Sequence, residues 1–299
     1  MSLIFIPEVR LWANFYFFVQ NLSGWHQPSV KSRYNNDWRE ETAFSQEAEV
    51  AINAFKLIHD RYPHDTEKYL GRPFFLQDDP WEAVKNIVTK NELVELKNIF
   101  NVLEPFFNII YKKDEPLLHE WAELISKPEF AESAAHLNDV LAKFYGCEPY
   151  SAQCTVYLLL SAIKGNGGSV DNTKTNSIKL EVSRMPIALE WRVRGVLWHE
   201  LIHLHFSERI LRRLLRQYTQ DNVGVVDNLE ELLTSALLPN GLLAKEIGIN
   251  EMGNRGFNPS IQSEEILQIQ RLIRPYLDEE KQMDESLVRN MLALTVRTK

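Results

Sequence analysis

A mainly helical α+β fold, with a small antiparallel β-sheet among the helices, is what this chain of 299 residues predicts. Two N-cap signatures, Asp79-Pro-Trp-Glu82 and Thr89-Lys-Asn-Glu92, put a carboxylate on the third helical residue, where it can accept from the cap backbone N–H. Two segments of the second half, 195–204 and 227–238, carry apolar residues at helical spacing. Residues 154–184 break the helical pattern and contain a stretch that alternates with a period of two.

In chain order, Trp12 to Leu22 is aromatic and apolar and reads as a buried helix. The polar stretch Ser23 to Thr42 reads as extended, and a helix follows from about Ser45 to Arg61. Pro63, Gly71 and Pro73 mark residues 62–77 as loop. Helices follow both cap signatures. The second runs to about Tyr111 with a disturbance at Pro105, which lacks the N–H that an inner turn needs. Further helices are expected at about Glu115–Ser126 and Glu129–Tyr145. Cys154 to Ile163 is a short apolar run with β-branched and aromatic members, and Ser177 to Ser183 alternates strictly, with Ile178, Leu180 and Val182 on one side. Joined by the loop Lys164 to Asn176, these two read as antiparallel strands. That loop is Gly-rich but lacks the G-x-x-x-x-G-K-[ST] phosphate pattern, so it reads as a hairpin connection. The chain thus divides into a helical region, 1–145, and a second region, 146–299, packed together as one unit.

Composition narrows the function. Net charge is −8, which argues against nucleic acid as the main partner. The start of the chain lacks a basic segment before its apolar residues and does not read as a secretory signal, and no apolar run reaches the roughly 18 residues needed to span a bilayer. Two cysteines, Cys147 and Cys154, give no disulfide framework and fit a reducing compartment, so a cytoplasmic location is expected.

The chemistry concentrates in His199-Glu200-Leu201-Ile202-His203, inside the apolar run Gly195 to Leu204. Helical residues four apart share a face, so the two imidazoles can bind one Zn²⁺ at roughly 2.0–2.1 Å each. Glu200 lies about 100° around the same helix, where it can reach a metal-bound water without ligating the metal. Buried ionisable groups need partners, and a metal supplies one for all three. On these residues the chain resembles the zincin superfamily of metallopeptidases, with one departure: His205 stands where that superfamily usually has a hydrophobic residue. A third ligand separates the branches. Phe206 and Arg209 occupy the later Gly and His positions of the metzincin pattern, which excludes that branch. His205 points about 200° away from His203 on a regular helix and reads as a local hydrogen-bonding or pocket-wall residue.

The gluzincin branch takes a Glu from a later helix, and Asp227 to Leu238, opened by an Asp/Asn cap signal and closed by Pro239-Asn-Gly241, fits that place. Leu229, Leu232, Leu233, Ala236 and Leu237 form its apolar face; Glu230 lies on the flank and Glu231 opposite, so amphipathicity alone leaves both open. The resemblance favours Glu231, because small or polar residues then fall three and four positions later, at Thr234 and Ser235. Asp221 and Asp227 are weaker candidates. By resemblance the chain is similar to uncharacterised bacterial gluzincin-like families, over about residues 150–240. It implies a zinc metallopeptidase whose edge strand pairs with extended peptide or protein substrate, with His199, His203 and Glu231 as ligands and Glu200 as general base. Such enzymes often add a later His or Tyr to stabilise the oxyanion. All eight histidines lie at or before His205, leaving Tyr218 and Tyr276, each of which reads first as structural. The stripe Arg209, Arg212, Arg213 and Arg216 reads first as a solvated face, and second as a substrate-carboxylate site. Peptide deformylases also join an upstream Cys ligand to H-E-x-x-H, but Ala152-Gln-Cys-Thr155 does not resemble their motif. A noncatalytic interaction or regulatory protein on a zincin scaffold is the competing expectation.

Overall fold

The computed structural model describes residues 3–24, 34–63, 68–132, 135–161, 167–172, 176–219, 222–247 and 263–297. The chain begins with a strand, β1 (Ile4–Glu8), and passes at once into α1 (Leu11–Leu22), α2 (Tyr34–Thr42) and α3 (Gln46–His59). Residues 34–42 are helical, not extended as their polarity suggests. Fully buried Trp38 anchors them by packing against Phe18, their rings 5.0 Å apart. Ser45 caps α3 by accepting from the Ala48 N–H, a bond of the kind that stabilises a helix by about 1 kcal/mol. After the short helices α4 (Arg72–Leu76) and α5 (Trp81–Val84), Thr89 and Glu92 form the expected reciprocal cap of α6 (Lys90–Ile125).

That helix does not stop near Tyr111. It runs for 36 residues through Pro105 and Pro116 and absorbs the separate helix expected from Glu115. Its buried stripe explains this: Leu103, Phe107, Ile110, Tyr111, Leu118, Trp121 and Ile125 continue at helical spacing across both prolines. Burial along the whole stripe offsets the hydrogen bonds that the prolines remove. Two helices follow, α7 (Pro128–Glu132) and α8 (Ala135–Tyr145).

The sheet contains β1, β2 (Gln153–Leu159), β3 (Gly167–Asn172) and β4 (Ser177–Glu181), in the order β1-β2-β4-β3. It is mainly parallel, not antiparallel: β1 with β2 and β2 with β4 run parallel, and β3 against β4 is antiparallel. A period-two pattern fixes which side chains share a face but not strand direction. Here the segment read as connecting loop supplies β3, and β4 returns from it into the slot between β2 and β3.

Register puts Phe5, Cys154, Val156, Ile178 and Leu180 on one face, and Tyr157, Lys179 and Glu181 on the other. The second face is not solvated: the Lys179 ammonium lies 4.2 Å from the centre of the Phe75 ring, and Phe75 also meets Tyr157 edge-on. The first face receives α9 (Glu190–Leu201), whose Trp198 packs edge-on against Phe5. The remaining elements are a π-helical stretch, Ile202–Leu211, then α10 (Arg212–Thr219), α11 (Val223–Leu237), α12 (Glu264–Asp278) and α13 (Glu285–Arg297). One continuous apolar core joins helices of the first region to the sheet and to α9 and α11. Among the described residues, no helix is long and apolar enough to cross a membrane.

Candidate metal centre

Two crossings of backbone bring the chemical residues together. Helix α9 is pressed onto the sheet by Val193, Leu197, Trp198 and Leu201, all fully buried. Its Gly195 admits the chain that leaves α11: a Cβ there would stand 2.7 Å from the Pro239 side chain. One turn later, the Nδ1 of His199 meets the Leu238 carbonyl at 3.1 Å. Only an N–H can satisfy that carbonyl, so Nδ1 carries the proton and Nε2 faces away with its lone pair. His203 is oriented in the same way by a different group: its Nδ1 lies 3.0 Å from Glu230 Oε1.

The two Nε2 atoms consequently converge, 3.1 Å apart. Glu231 closes the group, with Oε1 3.4 Å from His199 Nε2 and Oε2 3.3 Å from His203 Nε2. One ligand atom from each of the three residues lies within 4.8 Å of the others. With both rings neutral, two lone pairs and a carboxylate share this space and no donor lies between them. Such a set calls for a cation: a metal ion, or a proton in its place.

The carboxylates divide the work. Glu230 has a side chain 3% exposed and does not lie on a solvated flank; Glu231 is 60% exposed. Glu230 belongs inside because Arg212 donates to its Oε2 over 2.6 Å and also pairs with Asp227 at 2.8 Å. Glu231 faces the two Nε2 atoms, and Ser235 donates to its Oε1 over 3.3 Å. Where a proton takes the place of the cation, hydrogen bonding with His199 and His203 holds the Glu231 carboxyl well below the usual carboxylate range. Glu200 is buried beside the group, and its charge is felt at His203.

Burial alone favours a neutral His203. Hydrogen bonds to Glu230 and Glu231, reinforced by the Glu200 charge, outweigh it and push the ring up to about 10. A pKa raised on folding contributes stability fully below the ordinary value of 6.5, and that stability is lost as pH rises through about 10. The metal-free protein should therefore lose this contribution between those limits. Denaturant titrations of chelator-treated wild type and His203→Ala from pH 6 to 10 should show a stability gap that narrows with rising pH. A constant gap speaks against the pairing.

The other sequence candidates are placed elsewhere. His205 is buried under the Tyr150 ring, with Nε2 3.4 Å from the Glu148 carbonyl, the local role expected for it. The Tyr276 hydroxyl donates to Asp284, and the Tyr218 ring lies beneath Arg289. Cys154 is buried in β2 with its thiol pushed up to about 12 by desolvation, and it forms no disulfide with Cys147. Asp221 and the Arg209 side chain fall outside the described residues. Sequence reasoning missed the Leu238 carbonyl and Arg212. The first had a signal, since a helix end before Pro239 leaves carbonyls to be satisfied from outside.

A ligand role expected of Glu231 is separable by experiment from one for Glu230. Glu231→Ala should lower zinc affinity more than Glu230→Ala, as measured by competition with a chromophoric chelator, and the reverse order would reassign the ligand. No protein-family model matches the chain, and no curated protein or solved structure matches it.

Proposed function

We propose that this chain is a zinc-dependent peptidase of the gluzincin-like kind. The observation that carries the reading is the convergence of His199 Nε2, His203 Nε2 and a Glu231 carboxylate oxygen with a buried Glu200 beside them. Two imidazoles and one carboxylate are a donor set of catalytic zinc sites, which hold three protein ligands and keep one position open. The fit extends outward, since each His is oriented through its other ring nitrogen.

When bound, zinc supplies a water with a pKa near 7 and a Lewis acid for a substrate carbonyl. The chain supplies the rest. Glu200 accepts the proton of the attacking water and returns it to the leaving amine, so one carboxylate serves as base and then acid. The edge strand β3 lies against α9 and the π-helical stretch. An extended peptide can pair with its outer edge through main-chain hydrogen bonds, largely independent of side chains. Cys147 and Cys154, not joined to each other, suit a reducing compartment, and the cytoplasm is the proposed location.

The test has two parts. Purified protein after mild dialysis should contain near-stoichiometric zinc, and the zinc-loaded protein should cleave members of a broad peptide library in a chelator-sensitive way. Stoichiometric zinc without any cleavage would shift the reading to an interaction protein that uses zinc structurally.

A further inference from the structure

Arg212 belongs to a stripe of arginines that helical spacing alone assigns to solvent. It follows His203 by nine residues, which on a regular helix of 3.6 residues per turn is two and a half turns, the opposite face. The intervening chain is not regular α-helix: Ile202–Leu211 is π-helical. With i→i+5 hydrogen bonding and about 4.4 residues per turn, nine residues make close to two full turns. The wider turn brings Arg212 back to the side of His203. There its Nε meets Glu230 Oε2 at 2.6 Å, while Glu230 Oε1 holds His203 Nδ1 at 3.0 Å. Asp227 takes the other end of the guanidinium at 2.8 Å.

We infer that Arg212 and Glu230 are positioning residues for the metal centre, joined to it by the π-helical stretch: Arg212 fixes the Glu230 carboxylate, and Glu230 fixes the tautomer and ring direction of His203. The inference rests on the zinc reading above. A single point charge would leave the plane of the buried Glu230 carboxylate unset; the guanidinium supplies both a countercharge and a direction. The carboxylate in turn keeps the proton on Nδ1, so that Nε2 is always the ligating nitrogen.

The experiment compares wild type with Glu230→Gln, Arg212→Met and Arg212→Lys. Zinc affinity is read by chelator competition, ligand geometry by the visible spectrum of the cobalt-loaded protein, and folding of the metal-free forms by circular dichroism. Glu230→Gln keeps the size of the side chain and an oxygen to accept from Nδ1, so it should fold, bind one zinc, and bind it about 10–100-fold more weakly, the scale for outer partners of metal-ligating histidines. Arg212→Met should lose affinity by a similar factor and alter the cobalt spectrum, and Arg212→Lys should recover part of both. Wild-type affinity and spectrum in folded Glu230→Gln and Arg212→Met would overturn the inference while leaving the zinc site intact. Wild-type protein that takes up neither metal would overturn the zinc reading, and this inference with it.

Discussion

Glu200→Gln should keep its fold and its zinc, while peptide turnover falls by roughly 10²–10⁴-fold, the scale of a lost general base. The amide matches the carboxylate in size and shape but cannot accept the proton of the attacking water. The comparison is made on a substrate first found in the library screen, with zinc content measured on the same preparations. Turnover equal to wild type would remove Glu200 from the mechanism.

His199→Ala and His203→Ala should lose metal and activity together. Each removes one of the three proposed ligands, so affinity should drop by more than the ~10–100-fold expected for an outer partner. The two variants should differ in their metal-free forms. His199 leaves behind a backbone carbonyl, whereas His203→Ala leaves Glu230 facing a gap and paired with Arg212 alone among the described residues. His203→Ala should therefore be the less stable of the two in metal-free denaturant titrations. Elemental analysis reports the metal, and unchanged zinc in both variants would falsify the ligand assignment.

Much of the site was legible because its signals are local. The spacing of His199 and His203 depends only on helical geometry, and the cap at Thr89 depends on four adjacent residues. The rest was hidden where distant chain decides. Glu230 and Glu231 look alike along the helix, and only the arrival of Arg212 makes one of them interior. The widening at Ile202–Leu211 has no marker in residue type, and without it Arg212 reads as surface. The direction of β2 against β4 was misread because alternation carries no polarity. The length of α6 was misread because Pro105 and Pro116 weigh against a helix locally, while the stripe that overrides them is tertiary.

The strand Ile4–Glu8 pairs with Gln153–Leu159, and its Phe5 touches Trp198 on the helix that carries both histidines. During synthesis the first strand therefore emerges long before its partner. At roughly 5–20 residues per second, the wait is on the order of ten seconds. For that time an apolar strand stands without its neighbour beside a growing set of helices, and an early mispairing would cost the sheet its first member. The seat of the helix that carries both histidines is thus completed by a strand made well before that helix, and the order of translation becomes part of how the two histidines are brought to their place.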